Sequence, residues 1–505
     1  MSRWIERVNA LAPERLVGMR RGLEKESLRA LPTGGLALTP HPLALGSALT
    51  HPHITTDYCE SQLELITGVH GDVESCLDEL TKVHQFVYRS IGEERLWVSS
   101  MPCGLPTDEA IPIGRYGSSN LGRSKTVYRM GLGHRYGRRM QTISGIHYNW
   151  SLPGLNSADY FSLIRNFRRH GFVLLFLFGA SPALCENFVA GRDHPLDRLG
   201  DTTLYLPHAT SLRMGKLGYQ SDAQSTLAVS YNSLESYAAS LHDAMTRPYP
   251  AYEALGLRGP GGDYHQLATS LLQLENEFYG TIRPKRVIHQ GERPLHALRE
   301  RGVEYVEVRC MDLDPFLPLG IDAPTMRFID VFLLYCLLAE SPDDTPAEIT
   351  ELAHNQDRVA MRGREPGLEL ERGGRNLTLV EWAEEILAAC APIAAAVDLA
   401  QGGSAYVDAW RIASDRLALP ASLPSARVIS EITDRFDRSY IRFVRSRAAQ
   451  TREDFLALPY PPELHAHMLS QVQDSIAAQA RLEAADTMPF EIYRQEYLST
   501  RRLGV

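Results

Sequence analysis

Four short stretches of this chain alternate polar and apolar residues and carry charge on the polar face, which limits the fold to one that brings several charged strand faces together. In EYVEVRCMDLDP (304–315), Tyr305, Glu307 and Arg309 point one way on an extended backbone, and Val306, Val308 and Cys310 the other. Taken alone, this is a half-buried strand with a polar outer face. In RGLEKESLR (21–29), Glu24 and Glu26 share a face, and like charges that close are costly unless water or a cation separates them. In TTDYCESQLELIT (55–67), Gln62, Glu64 and Ile66 oppose Leu63 and Leu65, with Asp57 and Glu60 just before them. In MQTISGIHYNWSLP (140–153), Gln141, Ile143, Gly145, His147, Asn149 and Ser151 form one row on a strand predicted to run through the whole stretch.

Composition removes other classes. The 505 residues are 44% hydrophobic and 22% charged, ordinary for a globular chain with a large core. A net charge of -9, without long runs of either sign, argues against nucleic acid as the principal partner. The first residues predict a helix rather than a secretory or mitochondrial leader, and no apolar run reaches the ~20 residues that span a bilayer. Seven scattered cysteines with no CxxC spacing predict a reducing cytoplasm and no structural zinc. His51 and His53 flank Pro52 in loop-like sequence and are set aside as metal ligands.

Residues 116–139 are basic, aromatic and glycine-rich, the composition of a phosphate cradle, but match neither GxxxxGK[ST] nor GxGxxG. Helices are predicted over 72–89, 234–244 and 325–339, the last opened by Asp322 and Pro324, and through the final third, where Leu469, Val472 and Ile476 form an apolar stripe. No repeat or linker stands out, so a single elaborated domain over 1–505 is expected, its active-site strands within 20–316 and its remainder, 317–505, mainly helical.

The polar strand faces together offer five carboxylates and one imidazole: Glu24, Glu26, Asp57, Glu64, Glu307 and His147. That exceeds what one magnesium ion needs and suits two or three ions bridging protein oxygens to ATP phosphates. Arg129 and Arg309 carry the charge that a phosphoryl group in transfer requires opposite it. The spacing alone thus points to metal-assisted phosphoryl transfer.

Ten blocks in order resemble a known family: RGLEKESLR, HITTDYCESQLELIT, SSMPCGLP, YGSSNLGRSKTVYR, MQTISGIHYNWSLP, FGASPAL, ATSLR, ENEFYGTIRPKR, YVEVRCMDLDPF and AADTMPF. They are similar to glutamate–cysteine ligase of the proteobacterial type. The resemblance implies an α+β fold with a curved antiparallel β-sheet funnel, helices outside and a core like that of glutamine synthetase. It implies ATP-dependent joining of L-glutamate to L-cysteine through γ-glutamyl phosphate, with Mg2+ (or Mn2+) as cofactor and no obligate protein partner. Glu24, Glu26, Asp57, Glu64, His147 and Glu307 then resemble the metal ligands, and Arg129 and Arg309 the catalytic phosphate clamps. Gln141, Asn149 and Arg213 resemble the glutamate contacts; Tyr58, Tyr128, Leu132, Tyr219 and Tyr279 resemble the cysteine pocket. Adenine contacts are left unassigned. The alternatives are a related carboxylate–amine ligase with another amine acceptor and an ATP-independent metal hydrolase.

Overall fold

Every strand that carries a proposed site residue belongs to one antiparallel sheet in the computed structural model, which describes residues 2–218, 222–225, 227–289 and 291–499. Its longest strand is β1 (Arg20–Ala30), followed in the chain by β2 (Ile54–Thr56), β3 (Gln62–Ile66), β4 (Arg95–Leu96), β5 (Ile146–Ser151), β6 (Ile282–Lys285) and β7 (Tyr305–Met311). Their order in space is β2-β3-β1-β5-β7-β6, with β4 on the far end of β1. Pro284 lies in β6, at the edge of the sheet, where its missing N–H costs no ladder bond.

One face of the sheet is backed by α1 (Val73–Ser90), α3 (Ser157–His170) and α4 (Ala323–Leu338), and α2 (Asn120–Tyr136) lies between α1 and α3 in sequence. Asp72 caps α1 by accepting from the Ser75 amide, and Asp322 caps α4 in the same way through Thr325. In α4, Phe328, Ile329, Val331, Phe332, Leu333 and Leu334 are all fully buried, each worth about 1.5–3 kcal/mol of transfer free energy. Leu23, Leu63, Leu65, Tyr148, Trp150, Val306 and Val308 meet these helices from the sheet. Two cations also point into this layer, and each finds a partner. Arg21 pairs with Asp330 at 2.9 Å, and the same carboxylate accepts from Tyr148 (2.7 Å) and Tyr406 (3.2 Å); Lys25 meets His84 Nε2 at 2.8 Å. Asp330 thus bonds β1 and β5 to the middle of α4.

Three expectations change, and one cross-link is added. The stretch from Met140 is extended only from Ile146: Arg138–Gln141 is a helical turn, held by Asp108 accepting from the amides of Arg138 and Arg139. The glycine-rich segment is the helix α2, capped by Ser119 through the Gly122 amide, and not a phosphate-cradling loop. Its glycines make room for neighbours, since a Cβ on Gly131 would stand 2.3 Å from Gln273 and one on Gly133 2.5 Å from the Tyr58 hydroxyl. The last third is helical except for a hairpin, Glu369–Arg372 with Arg375–Thr378, and of the expected stripe only Val472 is buried, while Leu469 and Ile476 face solvent. Cys103 and Cys185 form a disulfide across 82 residues, a pairing that local spacing does not announce; the five other cysteines are free and buried. Among the described residues no helix is long and apolar enough to cross a membrane.

Candidate active site

Register assembles the site. Glu24 stands opposite both Ile66 and His147, Glu26 opposite Glu64, and Glu307 opposite both Asn149 and Arg283. Directly paired residues share a face, so β1, β3, β5, β6 and β7 all turn polar groups away from the helices. His147 is at the centre. Its Nδ1 lies 3.1 Å from Glu24 Oε2 and 3.8 Å from Glu307 Oε1, and its Nε2 lies 3.4 Å from Glu26 Oε1. Ligand atoms of Glu24, Glu64 and His147 all fall within 4.8 Å of one another. Asp57, just past β2, is close enough to Glu26 and Glu64 to raise both carboxyls.

The electrostatics divide the carboxylates. Burial pushes Glu64 well above the usual range, and Glu24, Asp57 and Glu26 push it further; burial likewise raises Glu26 against the pull of His147. Glu307 goes the opposite way: burial would raise it, but Lys285, Arg309, His147 and Arg283 together hold it well below. In Glu24, burial and the charge of Glu307 are outweighed only by the hydrogen bond from His147 together with the charges of Lys285 and His147. The side of the cluster near β3 is therefore short of positive charge, and the side near β7 is supplied with it.

Whether these residues suit a divalent ion can be judged from what the protein leaves unpaired. Among the described residues, Asn149 Oδ1 is buried without a hydrogen bond, and Glu307 Oε2 lies within ion-pair reach of Arg309 but outside hydrogen-bond geometry. Hard oxygen donors with one imidazole and a carboxylate lifted by its neighbours fit magnesium or manganese.

Around the cluster stand the cations. Arg129, on α2, donates from Nε to the Asp57 carbonyl and from Nη1 to the Lys125 carbonyl at 3.0 Å, and lies over the Tyr116 ring. Arg309 reaches Glu307 Oε2 at 3.2 Å and His147 Nδ1 at 3.4 Å. It does not sit in a regular ladder, because the β5–β7 register slips between Val308 and Met311, and such a bulge re-aims the side chains it contains. Arg213 is buried and donates to the Arg309 carbonyl at 2.9 Å. Asn149 donates to Glu24 Oε1 at 2.9 Å. Gln141 donates to the Tyr279 hydroxyl at 2.7 Å, tying a residue expected to hold glutamate to one expected to line the cysteine pocket. Tyr58, Leu132, Tyr128 and Tyr279 pack in one hydrophobic cluster. A small cavity lined by Arg213, Tyr279, Arg309 and Gln356 opens beside them. Tyr219 lies outside the described residues.

A family model described as glutamate-cysteine ligase matches residues 6–359. The glutamate–cysteine ligase of Alcanivorax borkumensis is 46% identical, over 97% of this chain and 97% of its own. The chain belongs to the glutamate–cysteine ligase family. That of Pseudomonas aeruginosa PAO1 is also 46% identical, over 94% of this chain and 93% of its own. Among solved structures, the glutamate–cysteine ligase of Francisella tularensis in complex with AMP matches with TM-score 0.91 and 34% identity, covering 96% of this chain and 98% of that one. A bifunctional glutathione synthetase from Pasteurella multocida, at TM-score 0.71, 24% identity and coverage of 93% and 57%, shares the fold.

Two residues of this site escaped the sequence reading. Lys285 stands 3.2 Å from Glu307 Oε1, and Arg283 is directly across from Glu307. The signal was available, since Arg283 and Lys285 are two apart in IRPKR, the same alternation that marks the acidic strands.

Proposed function

We propose that this member of the family uses ATP to join the γ-carboxylate of L-glutamate to the amino group of L-cysteine through γ-glutamyl phosphate, the first step of glutathione biosynthesis, as one cytoplasmic catalytic unit spanning the chain. The observation that carries the reading is the gathering of Glu24, Glu26, Glu64 and Glu307 around His147, with Asp57 beside Glu26 and Glu64 and with the guanidinium groups of Arg129 at Asp57 and Arg309 at Glu307. The polar face of the sheet would form the wall of a funnel, and its core would be of the glutamine-synthetase kind.

In this reading Glu24, Glu26, Asp57, Glu64, His147 and Glu307 would hold two or three magnesium ions. When bound, these supply charge neutralisation between an anionic carboxylate and the ATP phosphates. Arg309 and Arg129 hold the transferring phosphoryl group from two sides, each with a planar fork matched to phosphate oxygens. Arg213, with Gln141 and Asn149, holds glutamate so that its γ-carboxylate faces the phosphate. Tyr58, Tyr128, Leu132 and Tyr279 close over cysteine and exclude water from an acyl phosphate that water would otherwise hydrolyse.

ADP release measured with glutamate alone, cysteine alone and both together tests this. The expected result is stoichiometric ADP and γ-glutamylcysteine only with both substrates. ADP formation that requires a different amine, or turnover without ATP, would replace the reading with one of its rivals.

A further inference from the structure

Glu307 has a cation on each of its oxygens. Lys285 Nζ is 3.2 Å from Oε1 and Arg309 Nη1 is 3.2 Å from Oε2. The two cations are held differently. Arg309 lies in a backbone bulge whose amide donates to the Thr281 carbonyl and whose carbonyl accepts from Arg213. Lys285 is the last residue of an edge strand, opposite Tyr305, and its side chain is 31% exposed against 1% for Glu307. Among the described residues, the hydrogen bond to Glu307 is the one that its ammonium makes. A lysine is a compact charge on a flexible four-carbon stem, so it can leave one oxygen for another at little geometric cost.

A divalent cation binding Oε1 of Glu307 at about 2.1 Å would stand only about 4 Å from an ammonium on the same oxygen, and their repulsion is strong in a buried site. One of the two has to move, and the side chain nearer solvent is free to do so. Resting on the reading of Glu307 as a metal ligand, we propose that Lys285 is a placeholder cation. It neutralises Glu307 while no metal is bound, is displaced when the metal takes that carboxylate, and then carries its charge to the phosphate oxygens of the nucleotide. Metal and nucleotide binding would thereby be coupled through one side chain: the metal frees a positive charge that the nucleotide uses.

The coupling makes opposite predictions for the two ligands, which a merely structural salt bridge does not. With Mn2+ as the metal probe, titrated without nucleotide and followed by electron paramagnetic resonance, Lys285→Met binds three- to tenfold more tightly than the parent because no competing ammonium remains. With ADP titrated calorimetrically at saturating Mn2+, the same variant binds three- to tenfold more weakly, and Lys285→Arg restores much of that loss. Lys285→Gln, closer in polarity, is read in parallel with thermal unfolding, so that a folding defect in one variant does not hide the answer. Unchanged or weaker Mn2+ binding in the folded neutral variants overturns the proposal, as does parental ADP affinity. Glu307→Gln separates the two layers. If it binds Mn2+ like the parent, the metal-ligand reading of Glu307 fails and the placeholder with it; if it loses Mn2+ while the Lys285 variants behave as the parent, the placeholder alone fails.

Discussion

At the residue scale, Gly145 shows how a site depends on a side chain that is missing. Its amide donates to Glu26 Oε2 at 2.7 Å and its carbonyl accepts from the Glu26 amide at 3.0 Å, so its backbone is pinned to β1. A Cβ there would stand 2.0 Å from Arg213 Nη2 and 2.4 Å from Arg213 Cζ. Neither the pinned backbone nor the buried guanidinium can yield without losing its bonds. Gly145→Ala is therefore expected to raise KM for glutamate more than tenfold with the fold intact, measured by initial rates beside a thermal melt. A parental KM would remove Arg213 from the proposed glutamate contacts. Tyr58 illustrates the opposite case: its hydroxyl is buried with no hydrogen bond among the described residues and burial pushes its pKa up, so the ring is held by packing against α2.

At the element scale, the entry into β2 is organised by His51. Its Nδ1 accepts from the amides of His53 (3.1 Å) and Ile54 (3.0 Å), which requires that nitrogen to be unprotonated. Burial, helped by His53, lowers its pKa to about 4 from 6.5. A folded-state pKa below the unfolded one means the unfolded chain binds the extra proton first, so the stabilisation is complete above about 6.5 and is lost as the pH falls toward 4. His51→Phe should cost about 1–3 kcal/mol at neutral pH, by orphaning two amides, and should flatten the fall of the urea midpoint between pH 6.5 and 4. An unaltered slope would show that another group titrates there. The two histidines set aside as metal ligands thus have a structural task in bringing the chain into the strand before Asp57.

At the scale of the whole molecule, the end of the chain returns to the site. Asp486 accepts from the backbone amide of Asn120 and, at 2.7 Å, from its side chain, while the Met488 carbonyl accepts from the same side chain at 2.7 Å. Glu483 accepts from the Ser118 amide at 2.8 Å, and Phe490, in α5 (Phe490–Leu498), lies under Arg123. These contacts fall on the first turn of α2, where amides lack helical partners and a carboxylate is favoured. Because α2 carries Tyr128, Arg129 and Leu132, its placement sets three proposed site residues at once. Asp486→Ala is expected to lower stability by only about 1 kcal/mol and yet reduce kcat severalfold; an unchanged kcat would mean that α2 is positioned by its packing alone.

Much of this architecture is readable from single residues. Alternation in 21–29, 62–66, 146–151 and 305–309 predicts which side chains share a face, because a strand's period is two whatever it pairs with, and helix caps such as Asp72 and Asp322 mark their helices because they act within one turn. What local pattern cannot supply is pairing. That His147 lies between Glu24, Glu26 and Glu307, that a bulge turns Arg309 toward them, that Lys285 occupies Glu307, that Cys103 meets Cys185 and that Asp486 caps a helix 366 residues earlier are all decided by register and packing between segments far apart in the chain. Sequence alone determined the chemistry on each strand face, since backbone geometry is local. Only the tertiary structure decided which faces meet, because that depends on how the helices bury the opposite side of the sheet.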